Sequence, residues 1–199
     1  MEELKEILSQ QHIKLDFEIP KDVKEMHFLQ VKNKVFSIYN KITKQIEQPI
    51  DRNNMESILK DSINNFDEYE FNSIESSTTN YFIYNQVDDK IPFFGARIEV
   101  YINEEGDISY TQNYFEVMNQ GLDKQIISSY SALRTVLDQQ LIPNGAEIER
   151  IILGYHGQAY QSSIQVLTPV WKLIYQLENE IDHIYVNALT GAIENVISY

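Results

Sequence analysis

Residues 96–108 read Ala96-Arg97-Ile98-Glu99-Val100-Tyr101-Ile102-Asn103-Glu104-Glu105-Gly106-Asp107-Ile108. Ile98, Val100 and Ile102 alternate with Arg97, Glu99 and Tyr101, the two-residue period of a strand with one face buried. Asn103 to Asp107 supplies a turn, with Gly106 able to take a positive φ. The spacing predicts an antiparallel hairpin of strands over 93–102 and 108–117. A sheet built this way buries one face under a helix and leaves the other wet.

Working upstream, strand patterns cover 69–74 and 79–87. Before them, Asp51 or Asn53 can cap a helix to about 65 whose inner face is Met55, Ile58, Leu59 and Ile63. Earlier still, 2–10 reads as an amphipathic helix with acids at its start. Ile13, Leu15, Phe17 and Ile19 alternate with polar residues up to Pro20, a strand pattern that Pro stops. Met26 to Ile46 reads as a small meander of short strands.

Downstream, Ser128 or Ser129 can cap a helix carrying Leu133, Val136 and Leu137, and Leu141-Ile142-Pro143-Asn144-Gly145 ends it. Strand patterns follow over 148–155, 164–177, 184–189 and 192–199, with Thr190-Gly191 as a tight turn between the last two. Both stretches share one order, a helix and then about four antiparallel strands, each closing on a hairpin. The expected fold is α+β: two helix-plus-antiparallel-sheet units, 1–120 and 121–199, packed into an elongated body. Asn119-Gln120-Gly121 is the expected joint.

The chain has 199 residues, 43% of them hydrophobic, which suffices for a core. No run approaches the ~18 apolar residues of a membrane span. Met1-Glu2-Glu3-Leu4-Lys5 lacks the basic and apolar regions of a signal peptide. A net charge of −14 argues against a nucleic-acid groove and against docking of the folded body on anionic lipid. The absence of Cys excludes disulfides, thiolate catalysis and Cys-ligated zinc. Positions 61–120 hold only Lys90 and Arg97 against twelve acids, the strongest electrostatic feature of the sequence.

The motifs point away from bond-making chemistry. His12, His27, His156 and His183 lack metal-ligand spacing. Ser128-Ser129 and Ser162-Ser163 lack a nucleophile elbow. Gly154-Tyr155-His156-Gly157 precedes no helix, has no phosphate-binding Lys and reads as the end of a strand. Glu68 and Glu70 would share one strand face opposite Tyr69 and Phe71, where both would stay ionised instead of forming a raised-pKa acid pair. Glu104-Glu105-Gly106-Asp107 lacks the ligand spacing of a calcium loop. No catalytic residue, cofactor site or metal site is assigned.

Thirteen Tyr and nine Phe leave two readings open. Tyr81-Phe82-Ile83-Tyr84 and Phe93-Phe94 either line a groove or protein interface, or fill the core under the helix. Tyr81, Tyr84, Phe93 and Phe94, with the acids Glu104, Glu105 and Asp107, are the candidate partner contacts.

One longer pattern is familiar. Ile91-Pro92-Phe93-Phe94 leads into 96–102, then come Ala132-Leu133-Arg134-Thr135-Val136-Leu137 and Ile151-Ile152-Leu153-Gly154-Tyr155. Val166-Leu167-Thr168-Pro169-Val170-Trp171-Lys172-Leu173 and Tyr185-Val186-Asn187-Ala188-Leu189-Thr190-Gly191 complete it. This order resembles the YycI (WalI) family, specifically from Ile91 onward and more loosely over Leu4 to Phe36. The Asn187-Ala188-x-Thr190-Gly191 turn also resembles the closing hairpin of PepSY-type domains. The resemblance implies two α/β units without catalytic apparatus. It further implies a regulator acting with a YycH-like protein on the YycG/WalK sensor histidine kinase of low-GC Gram-positive bacteria. Such proteins sit on the extracytoplasmic face of the cell membrane, held by an N-terminal helix that these 199 residues do not carry. Two further readings stand beside it: a PepSY-like module for a peptidase or cell-wall ligand, and a hydrolase with paired acids.

Overall fold

The hairpin forms where its alternation places it. The computed structural model describes residues 2–15, 17–20, 24–42, 52–77, 79–157 and 163–194. In chain order the elements are α1 (Glu2–Gln10), β1 (Lys14–Leu15), β2 (Glu25–Met26), β3 (Leu29–Ile42), α2 (Arg52–Ser62), a single 3-10 turn (Phe66–Glu68) and β4 (Tyr69–Phe71). Then follow β5 (Tyr81–Asp88), β6 (Ile91–Ile102), β7 (Ile108–Gln120), β8 (Lys124–Gln125), α3 (Ser129–Asp138), β9 (Glu147–His156), β10 (Ile164–Leu177), β11 (Glu180–Asn187) and β12 (Ile193–Glu194). The class is α+β, with a helix and then four strands occurring twice: α2 with β4–β7, and α3 with β9–β12.

The chain divides into two units, and not at 120. Unit 1 comprises 1–30, 119–159 and 166–199, and unit 2 comprises 31–118 and 160–165. The expected joint at Asn119 is a boundary, but the first 30 residues cluster with the C-terminal part. The reason is a set of pairings that no local pattern announces. β1 lies parallel to β9 through Lys14↔Glu147 and Leu15↔Ile148. β2 is antiparallel to β8 through Glu25↔Gln125 and Met26↔Lys124.

In unit 1, β9, β10, β11 and β12 are successive antiparallel neighbours. Ser128 caps α3: its hydroxyl accepts the Ser131 N–H at 3.1 Å, supplying a partner that the first helical turn lacks. Ala132, Leu133, Val136 and Leu137 form the buried stripe of that helix. Arg134 reaches α1 with a fork of two 2.8 Å bonds to Glu3, the bidentate geometry a guanidinium offers a carboxylate. Trp171 on β10 is buried and donates its indole N–H to the Ile127 carbonyl at 2.9 Å. Gly121 donates to the Phe28 carbonyl at 2.8 Å, and a Cβ there would stand 3.4 Å from that oxygen.

In unit 2 the strand order is β3-β7-β6-β5-β4, so β4 ends the sheet. Met55, Leu59 and Ile63 from α2 pack with Phe66, Tyr69, Phe82, Tyr84, Ile98, Val100, Ile108 and Tyr110 in one core cluster. Two buried glutamines support it. Gln112 donates to the Asn64 carbonyl at 2.8 Å. The Gln86 carboxamide donates to the Phe115 carbonyl at 2.9 Å and accepts the Phe115 N–H at 2.8 Å. The β6–β7 register runs from Ile98↔Gln112 to Ile102↔Ile108, so at Phe115 a side chain plays the part of a strand partner.

Several local expectations are corrected. The strand over 13–19 shrinks to Lys14–Leu15, because β9 offers it only two residues of register. The meander over 26–46 is one 14-residue strand, Leu29–Ile42, preceded by the short β2; the Lys and Asn residues within it do not break the strand. Asn53 lies inside α2, which has begun by Arg52. The alternative cap Asp51, the end of the meander at Ile46, Ser162 and the strand end over 195–199 fall outside the described residues.

Candidate functional site

Each candidate contact residue is placed by β5, β6 or the turn after β6. On a strand, successive side chains point to opposite faces, so a run of aromatics cannot all serve one surface. Tyr84 and Phe93 are each only 1% exposed, and they belong to the interior instead of the contact surface expected of them. Tyr84 packs edge-on against Phe66 at 5.2 Å, and Phe93 against Phe115 at 6.1 Å. Burying two large rings is what the adjacent core requires, and it takes precedence over display.

Tyr81 and Phe94 are half-buried. Tyr81 is paired in register with Tyr101, the rings 4.6 Å apart. Tyr101 is 46% exposed and donates to Glu99 at 3.4 Å, and Glu99 also pairs with Arg97. The sequence did not single out Tyr101; only its cross-strand position opposite Tyr81 makes it part of this patch. Burial raises the Tyr81 hydroxyl above the ordinary phenol range, helped by its hydrogen bond to Tyr101 and by the Glu99 charge.

The turn that carries Glu104, Glu105 and Asp107 is built by Asn103. Its side-chain oxygen accepts the Glu105 and Asp107 N–H groups at 3.1 and 2.7 Å. The Asn103 N–H donates to the Asp107 carbonyl at 3.1 Å, and Gly106, at φ 85°, donates to the Asn103 carbonyl at 3.0 Å. Four hydrogen bonds within five residues hold this turn in one shape. Glu104, Glu105 and Asp107 are exposed, and Asp107 lies 3.9 Å from the Lys41 ammonium. The result is a rigid acidic tip, with Tyr101 near the end of one supporting strand, β6, and Tyr81 opposite it at the start of the neighbouring β5.

Glu68, His27 and His156 are tied elsewhere. Glu68 sits in the 3-10 turn and accepts the Tyr114 hydroxyl at 2.9 Å, so it does not share a strand with Glu70. In unit 1, His27 lies 2.9 Å from Asp123, and His156 stacks on Tyr185 at 4.4 Å. Burial depresses the His156 pKa, and the Lys172 charge depresses it further against the opposing pull of Glu194. Among the described residues no group of three His, Asp or Glu converges on a point where a metal ion could sit. No helix among them is long and apolar enough to cross a membrane.

In class, this is an α+β protein of two helix-and-sheet units that displays an ordered acidic and aromatic surface. The chain belongs to the YycI family, whose model, "YycI protein", matches residues 1–189. That family is one of regulatory proteins of a two-component system. No curated protein matches the chain. Among solved structures it is similar to the Bacillus megaterium YpeB C-terminal domain, at 11% identity and a TM-score of 0.48, over 98% of this chain and 95% of that one. It is also similar to an uncharacterized protein from Eubacterium rectale at 16% identity and a TM-score of 0.45, over 63% of this chain. The chain spans 46% of that protein's length.

Proposed function

We propose that the chain regulates the YycG/WalK sensor histidine kinase from the extracytoplasmic face of the membrane, together with a YycH-like protein, and that it acts by contact alone. The observation that carries this reading is the family match across residues 1–189. A regulator that binds must contact one kinase state better than the other. A ~100-fold shift needs a difference of about 2.7 kcal/mol, which a few buried contacts supply.

The contact surface of this reading is the β6–β7 tip, with Glu104, Glu105 and Asp107 and with Tyr81 beside it, while Phe94 lies toward the other end of β6. A preordered turn loses little entropy on binding, and exposed carboxylates steer a basic partner toward it. Calorimetry of this chain with the YycH ectodomain and with the kinase ectodomain tests both statements. Binding that weakens in the triple variant E104K/E105K/D107K supports them. Unchanged binding in that variant removes the tip, and no binding of the wild-type chain to either partner removes the reading.

A further inference from the structure

Unit 1 carries a half-buried polar cluster on one face of its sheet. Residues directly opposite on paired antiparallel strands share a face, and so do alternate residues along one strand. The register Thr168↔His156, Lys172↔Tyr185 and Tyr185↔Glu194 therefore puts His156, Thr168, Lys172, Tyr185 and Glu194 on one face, opposite Trp171. Lys172 and Tyr185 are each 4% exposed, so a charge on this face is poorly hydrated.

Three observations converge on His156. Its ring stacks on Tyr185, with centroids 4.4 Å apart and planes 10° from parallel. Its Nδ1 is buried without a hydrogen-bond partner among the described residues, so neither a proton nor a lone pair there is satisfied. It is also the last residue of β9, where the ladder with β10 ends.

Each strand beside His156 brings a group that bears on it. β10 brings the Thr168 hydroxyl, 3.3 Å from the His156 carbonyl, and the Lys172 ammonium, 5.8 Å from the centre of the Tyr185 ring. β11 brings Tyr185 itself and His183, whose ring meets Tyr185 edge-on at 4.9 Å. β12 brings the Glu194 carboxylate, whose Oε1 already accepts from Asn187 at 2.8 Å and from Thr168 at 3.3 Å. A proton on the stacked ring would set a second cation on the face that holds Lys172. Burial opposes that proton most; Glu194 favours it and Lys172 opposes it. An imidazolium is better solvated by water than by this face, and turning the ring outward supplies the water.

We infer that His156 is a proton-operated cover: neutral, it lies stacked on Tyr185, and protonated, it turns out to solvent and uncovers Tyr185 and Lys172. The closed form holds above about pH 6.5, where a histidine in water is itself neutral. Below that value the opened form takes up the proton before the closed form does, so acid draws the equilibrium toward opening. This face belongs to unit 1, whereas the contact surface of the kinase reading lies in unit 2, and the two stand apart.

Nuclear magnetic resonance of the whole chain, with labelled histidine and aromatic rings, tests it on titration from about pH 8 to about pH 5. A His156–Tyr185 ring contact should be seen in the nuclear Overhauser spectrum at the alkaline end and disappear as His156 takes up its proton. The Trp171 indole N–H, bonded to Ile127 on the other face of β10, should stay in place, which separates opening of the face from unfolding of the unit. Tyr185→Leu removes the stack and should move the His156 midpoint up toward about 6.5. A ring contact that survives on the protonated His156 overturns the inference, as does loss of the Trp171 signal at the same pH. A midpoint that a folded Tyr185→Leu leaves in place also overturns it. Should that variant not fold, the two wild-type signals decide.

Discussion

Replacing Gln86 by Met tests whether a side chain can serve as a strand. Gln86 is buried, and both its amide atoms are spent on the N–H and C=O of Phe115, at 2.8 and 2.9 Å. Met preserves length and apolar volume but offers neither a donor nor a useful acceptor. Two backbone groups of a residue that is itself buried then lose their partners. An unsatisfied buried group costs about 1–3 kcal/mol, so the pair should cost about 2–4 kcal/mol after partial relaxation. For a chain of this size that corresponds to a fall in melting temperature of about 6–12 °C. Urea unfolding followed by far-UV circular dichroism reads the change. Trp171, the single tryptophan, lies in unit 1 and provides a separate fluorescence signal from that unit. A loss below about 0.5 kcal/mol, the range of an ordinary surface substitution, would refute the claim that Phe115 depends on this carboxamide.

Two other outcomes follow from the geometry. Gly106→Ala should destabilise unit 2 by about 1 kcal/mol through backbone strain at φ 85°, because its Cβ would meet nothing within 4 Å; Gly106→Asn should recover much of the loss in the same urea assay. His156 is held neutral by burial, so its folded pKa lies below its unfolded value of about 6.5. The unfolded chain therefore takes up the proton first as pH falls. Stability linked to His156 is fully present above about pH 6.5 and is lost as pH drops through the folded pKa. His156→Gln should flatten that part of the thermal-stability profile relative to wild type, and parallel profiles would refute it.

Much of the fold is legible because its signals are local. The 96–108 hairpin announces itself by alternation and a glycine turn, α2 by its apolar stripe and α3 by Ser128. What escaped the sequence depends on distant partners or on uncommon turn chemistry. The β5–β6 turn places Asp89 and Lys90 at φ 46° and 67°, a left-handed pair without glycine that no composition rule flags. Gln86 and Gln112 are polar, and no local pattern shows the distant backbone group that each is buried to meet. Tyr84 and Phe93 look displayable until the core beside them has a shape. His156, Lys172, Tyr185 and Glu194 come from four strands, so only folding brings them together. The ties that hold the first 30 residues to unit 1, among them two short ladders, an Arg–Glu fork and the His27–Asp123 contact, all join positions far apart in the chain.

The β2–β8 pairing and the Gly121–Phe28 bond fasten the chain to itself just before it departs for residues 31–118 and just after it comes back. Tension applied between the two ends of the polypeptide is therefore carried across this clasp and bypasses the stretch it encloses. Residues 31–118 would feel a pull along the chain only after the clasp had torn.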